Sequence, residues 1–173
     1  MERIDSKTVY EGRIASVRVD RFRYSDGETA EREIVAHPGA VAIVAHDGEQ
    51  VYLVRQPREA VGEEALLELP AGKLDVAGEA PLDCARRELA EEVGVEADEW
   101  RELKRIYTSP GFAEEVVHIF LATGLREVGS NPDAEERLEV VRLPLAELDR
   151  ALAECMDSKS LIGLFLLKDE IGS

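Results

Sequence analysis

Arg87-Glu88-Leu89-Ala90-Glu91-Glu92-Val93-Gly94-Val95 decides the reading of this chain. The span from Pro81 to Val93 carries apolar residues at Leu82, Ala85, Leu89 and Val93, close to helical period. Pro81 suits a first helical position, where its missing N–H costs nothing. Gly94 suits the left-handed residue just past a helix end. On such a helix Glu88 neighbours Glu91 at i,i+3 and Glu92 at i,i+4, so three carboxylates project to one side. Like charges at that spacing destabilise a helix by ~0.2–0.5 kcal/mol per pair.

A divalent cation reverses that penalty. Carboxylate oxygens are hard ligands, which favours Mg²⁺, with Mn²⁺ as the alternative, over zinc. No Cys/His cluster competes, because His37, His46 and His118 are scattered and Cys84 and Cys155 lie far apart. Glu88 and Glu92, a helical turn apart, are the main candidate metal ligands; Glu91 is a third or shared ligand, or the i,i+4 partner of Arg87. A solvated acidic face is the competing reading in a chain with 37 acidic residues. At average composition, though, the whole pattern arises by chance on the order of once in ten million starts.

Gly72, Glu79 and the run Arg87 to Val95 together resemble the Nudix box, G-x5-E-x7-R-E-U-x-E-E-x-G-U with U apolar. The seven residues between Glu79 and Arg87 fit the pattern; six residues, Lys73 to Gly78, stand where the pattern has five. That insertion falls in a glycine-containing loop and leaves the helix in register. Glu68-Leu69-Pro70-Ala71-Gly72 before the box, and Ser109-Pro110-Gly111-Phe112 behind it, are similar to the ADP-ribose pyrophosphatase branch, with Pro110 sixteen residues after Gly94.

The resemblance implies a fold and a reaction. The fold is an α/β/α sandwich around a central mixed sheet, residues 39–173, preceded by a small antiparallel β element, residues 1–38, that pairs across a homodimer. The reaction is metal-dependent hydrolysis of the pyrophosphate in a nucleoside diphosphate sugar, ADP-ribose to AMP and ribose 5-phosphate first. GDP-mannose, NADH or another such compound is an alternative, and a non-hydrolysing ADP-ribose sensor is a reading of another class. The backbone carbonyl of Ala71 joins the metal ligands, Glu79 and Arg87 pair as struts between loop and helix, and Arg58 takes a phosphate. Gly72 and Gly94 shape the backbone at either end of the box. The general base is Glu115, in the loop after Ser109-Pro110-Gly111-Phe112, or Glu114 beside it. Phe112, Phe22 and Tyr24 are candidates to clamp the base of the substrate.

The remainder bounds these readings. At 173 residues, 45% hydrophobic and 34% charged, the chain suits one well-packed domain with a small appendage. A net charge of −16 argues against nucleic acid as a partner, since phosphate backbones need a basic surface. There is no long apolar run for a membrane span and no apolar signal core at Met1 to Asp5. Two cysteines give no disulfide framework, so a reducing cytoplasm is expected, with Cys84 and Cys155 as core filler.

Alternation marks Val9-Tyr10, Ile14 to Phe22 and Glu31 to Val35 as a strand meander. Ala40 to Ala45 and Val51 to Arg55 read as a hairpin about Asp47-Gly48. Leu66 to Leu69, Arg101 to Tyr107, Val116 to Ala122 and Val140 to Leu143 read as further strands. A polar, exposed stretch is expected over 124–139, and helices from Pro144 and from Ser158 to Lys168.

Overall fold

The computed structural model describes residues 1–129 and 137–172. It divides into two compact units. One holds Met1–Gly39 together with Tyr107–Val116; the other holds Ala40–Ile106 and the chain from Val117 onward.

The first unit is a three-stranded antiparallel sheet, β1 (Glu2–Glu11), β2 (Ser16–Arg23) and β3 (Thr29–Ala36), in that order. Strand β1 begins well before Val9-Tyr10, where its pattern first shows. Nearly every residue of it is exposed, so there was no apolar alternation to read. Its register is set instead by pairing with β2, from Glu2 opposite Arg23 to Glu11 opposite Ser16. The fully buried Asp20 of β2 accepts hydrogen bonds from Ser6 Oγ (2.6 Å) and Arg18 Nε (2.9 Å). Segment 107–116 joins this unit through β3: Val35 N–H donates to Phe112 O (2.8 Å), and Glu114 N–H donates to Val35 O (3.1 Å).

The second unit is built on a mixed sheet ordered β10 (Glu139–Pro144), β5 (Gln50–Arg58), β4 (Ala40–His46), β9 (Val116–Glu127), β8 (Val95–Tyr107). Strands β6 (Glu63–Glu68) and β7 (Ala71–Lys73) pair with β5 and β4 respectively. The β4–β9 pair is parallel, and β4 is buried almost throughout. Alternation along it feeds two cores. Val41, Ile43 and Ala45 join Ala85 and Leu89 of the motif helix. Ala42 and Val44 join Leu164 and Leu167 on the other face. The Asp47-Gly48 turn forms, with Asp47 Oδ1 accepting from Glu49 N–H (2.9 Å) and Gln50 N–H (2.8 Å).

Several boundaries move. The motif helix is α-helical only over α1 (Pro81–Glu88) and closes with a π-helical turn, Leu89–Val93, before Gly94 at φ 76°. Strand β8 starts immediately at Val95, its early residues masked in sequence by Glu96, Asp98 and Glu99. Strand β9 runs on to Glu127, so the stretch expected to be polar and exposed is strand at its start; 130–136 lie outside the described residues. Leu145–Glu147 is a 3-10 turn leading into α2 (Leu148–Glu154), and α3 (Ser158–Ile171) runs a turn past Lys168. No helix among the described residues is long and apolar enough to cross a membrane.

Candidate active site

Pairing of β7 with β4 sets Gly72 opposite Val41 and Ala71 opposite Ala42, and this brings the two residues against the motif helix. The approach is close enough to require glycine. A Cβ on Gly72 would lie 2.1 Å from Glu88 Cδ and 2.2 Å from Glu88 Oε1, distances no real atom pair tolerates. The Glu88 carboxylate therefore lies directly on the Gly72 backbone. One residue earlier, Ala71 N–H donates to Glu92 Oε2 (3.0 Å), and Glu92 is only 3% exposed. An ionised carboxylate at that depth needs compensation, and a backbone N–H is part of it.

Arg87 occupies the rest of the cluster. Its Nε and Nη2 donate to the two oxygens of Glu79, both at 3.0 Å, in a two-point clasp. Its Nη1 donates to Glu88 Oε1 (2.8 Å) and to Glu91 Oε2 (3.0 Å). Hydrogen bonding from Arg87 holds the Glu79 carboxyl below its ordinary value, and the reciprocal bonds raise Arg87. The clasp forms across the loop with the extra residue, so the insertion is absorbed between Lys73 and Gly78 without displacing Glu79. Cys84 is buried beneath; burial first, then Glu88 and Glu79, pushes its thiol up to about 12, so it is inert filler.

Three His, Cys, Asp or Glu side chains do not converge into a ready-made metal cluster among the described residues. Arg87 Nη1 instead bridges Glu88 and Glu91 and offsets their charge. The donor set still fits a divalent ion. Its groups are hard carboxylate oxygens, Gly72 leaves room for the Glu88 carboxylate, and the Glu91 side chain is 44% exposed.

The loop glutamates belong to the other unit. Glu114 is taken by Arg18, whose Nη1 and Nη2 donate to its two oxygens at 2.9 and 2.5 Å. That bond holds the Glu114 carboxyl below its ordinary value. Glu115 instead accepts from Thr108 Oγ1 (2.8 Å), with His37 Nδ1 3.3 Å from its other oxygen. Phe112 is 56% exposed; Phe22 and Tyr24 are half-buried on and beside β2.

Arg58 has a partner that the sequence reading did not anticipate. Its Nε and Nη2 donate to Glu68 Oε1 (2.6 Å) and Oε2 (2.9 Å). Glu68 is 1% exposed and also accepts from Lys159 Nζ (2.6 Å). A signal for this pairing was present: Glu68 is a charge flanked by Leu67 and Leu69 at the buried end of β6, and such a charge needs a cation. Its distant partner on α3 left no such mark.

Comparison with known proteins agrees with the geometry. The model of the NUDIX domain matches residues 36–162, and that of the nucleoside diphosphate sugar hydrolase N-terminal domain matches residues 1–35. The chain belongs to the Nudix family and is a Nudix hydrolase, a class that works with a divalent metal ion. An ADP-ribose pyrophosphatase of Mycobacterium tuberculosis is 44% identical over 168 residues, 94% of this chain and 81% of the relative. A methanol dehydrogenase activator of Bacillus methanolicus is 38% identical over 170 residues, 95% of this chain and 91% of the relative. A crystal structure of an ADP compounds hydrolase superposes with a TM-score of 0.85 at 26% identity, covering 99% of this chain and 94% of the other. Further relatives carry the name GDP-mannose pyrophosphatase, at 32 to 35% identity.

Proposed function

We propose that this hydrolase cleaves the pyrophosphate of a nucleoside diphosphate sugar, ADP-ribose foremost, to AMP and ribose 5-phosphate. The observation that carries the reading is the fit of Gly72 under Glu88 with Ala71 on Glu92, which holds two carboxylates of the box at one strand edge. Glu88, Glu92, the Ala71 carbonyl and, after release from Arg87, Glu91 are the proposed ligands of Mg²⁺, or of Mn²⁺ in its place. Such an ion neutralises phosphate charge and lowers the pKa of bound water.

Chemically, one P–O bond forms to water and the bridging P–O bond breaks. The proton of the water goes to a base. Glu115 is the proposed base, and the partner of Glu114 supports that choice: a carboxylate held down by arginine is the weaker proton acceptor. Arg58 is proposed to meet a phosphate oxygen with the donors that Glu68 leaves unused. Phe112 is proposed to stack on the base. Two further readings follow the same family: homodimerisation through residues 1–38, in line with the exposure of β1, and a reducing cytoplasm, in line with two free, buried cysteines.

The test is a panel of ADP-ribose, GDP-mannose, NADH and other nucleoside diphosphate sugars, incubated with protein and Mg²⁺ and read by product identification. ADP-ribose is expected to turn over fastest, to stop with EDTA and to resume with Mg²⁺. Binding of ADP-ribose without product would establish the sensor reading, and faster cleavage of GDP-mannose would move the substrate.

A further inference from the structure

Every residue from Glu68 to Gly72 is held by a different group. Glu68 is gripped through both oxygens by Arg58 and Lys159. Leu69 N–H donates to Ser160 Oγ (2.8 Å), a side chain wholly buried at the start of α3. Pro70 O accepts from Ile43 N–H of β4 (2.9 Å). Ala71 N–H meets Glu92, and Gly72 lies under Glu88.

The α3 end of this chain of contacts is itself fixed. Asp157 caps the helix, its Oδ2 accepting from Ser160 N–H (3.0 Å), Ser160 Oγ–H (2.5 Å) and Lys159 Nζ (2.9 Å). A Cβ on Gly163 would stand 2.5 Å from Leu69 Cδ1, so the Leu69 side chain rests on the helix backbone there. Glu68 and Asp157 balance Arg58 and Lys159 in charge.

Buried ion pairs of this kind add little net stability over apolar packing; their best-attested use is to fix register. The register fixed here is that of the strand edge facing the motif helix. We propose that Glu68, with Lys159 and Ser160, is a positioning residue: it couples the N-terminal end of α3 to Leu69–Gly72 and so sets where Ala71 and Gly72 meet Glu92 and Glu88. The proposal rests on the metal-site reading above only for its consequence in metal affinity. Groups that orient metal ligands from behind typically change affinity 10–100-fold when removed.

Two readouts on folded protein at low temperature test it. Glu68→Gln is expected to weaken Mn²⁺ binding, followed by titration, about ten-fold. In metal-free protein it is expected to speed hydrogen exchange at the Leu69 and Ala71 amides. Leu167→Val, a core change on the same helix, serves as a control that lowers Tm while leaving both unchanged. If Glu68→Gln does not fold, Lys159→Gln, which keeps the Arg58 pair, carries the same test. Parent-like exchange and Mn²⁺ affinity in Glu68→Gln, or equal losses in Leu167→Val, would overturn the proposal. If the parent binds no Mn²⁺, the metal reading fails alone, and the exchange result still decides the coupling.

Discussion

Two pairs of adjacent glutamates, Glu91-Glu92 on the motif helix and Glu114-Glu115 in the loop after β8, are treated alike. In each pair one carboxylate goes to an arginine: Glu91 to Arg87, Glu114 to Arg18. The other accepts a hydrogen bond from a neutral donor, Glu92 from the Ala71 N–H and Glu115 from the Thr108 hydroxyl, with His37 Nδ1 3.3 Å from the second Glu115 oxygen. An arginine stabilises the carboxylate anion beside it, and at Glu114 this holds the carboxyl below its ordinary value. Helical spacing already set Glu91 four residues from Arg87, whereas nothing in the spacing of Glu114 and Glu115 separates them; the identity of the donor does.

The largest effect is expected from Glu92→Gln. The amide keeps an oxygen for the Ala71 N–H and loses the charge offered to a cation. Loss of several kcal/mol of charge stabilisation corresponds to a fall in kcat on the order of 10³-fold, with the fold retained by circular dichroism. Near-parent turnover would remove Glu92 from the metal site.

Glu115→Gln comes next. Removal of a general base lowers the rate by about 10²-fold or more, and Mn²⁺ affinity is expected to stay at the parent value. A variant that loses the metal instead would place Glu115 among the ligands and undo its assignment as base.

Glu91→Gln sharpens the first pair. Its carboxylate already shares Arg87 with Glu79 and Glu88, so its removal leaves the arginine two anionic partners. The expected loss in kcat is about tenfold, well short of that for Glu92→Gln. Equal losses would show that exposure and the arginine contact do not rank the two ligands.

How far the sequence reached follows from what each feature depends on. The box reaction, the hairpin at Asp47-Gly48 and the two-faced core around β4 are periodic or contiguous signals, and all are local. Strand β1 escaped because its partner β2, rather than its own pattern, makes it a strand. The π-helical turn escaped because Leu89 to Val93 has the composition of ordinary helix. The Glu68 cluster escaped because it joins β5, β6 and α3, and ion pairs separated by 91 positions carry no spacing rule. Arg58 suits phosphate and carboxylate equally by residue type, and its pairing with Glu68 has no signature in the spacing of the two residues.

The smallest effect tests the second pair. Glu114 is 44% exposed beside Arg18, and exposed ion pairs contribute about 0–1 kcal/mol. Glu114→Gln is therefore expected to lower Tm only slightly at neutral pH. The sign of its pH dependence is fixed by the depressed Glu114 pKa. A carboxylate with a lower pKa folded than unfolded contributes fully above the ordinary range near 4.3, and loses that contribution as the pH falls through the folded value. Parent and variant should thus differ at pH 7 and converge toward acid, as followed by thermal melts across that range. A gap that widens in acid would mean that Glu114 is not held as an anion by Arg18. The contrast with Glu115 would then lose its physical basis, and Glu114 would return as a candidate base.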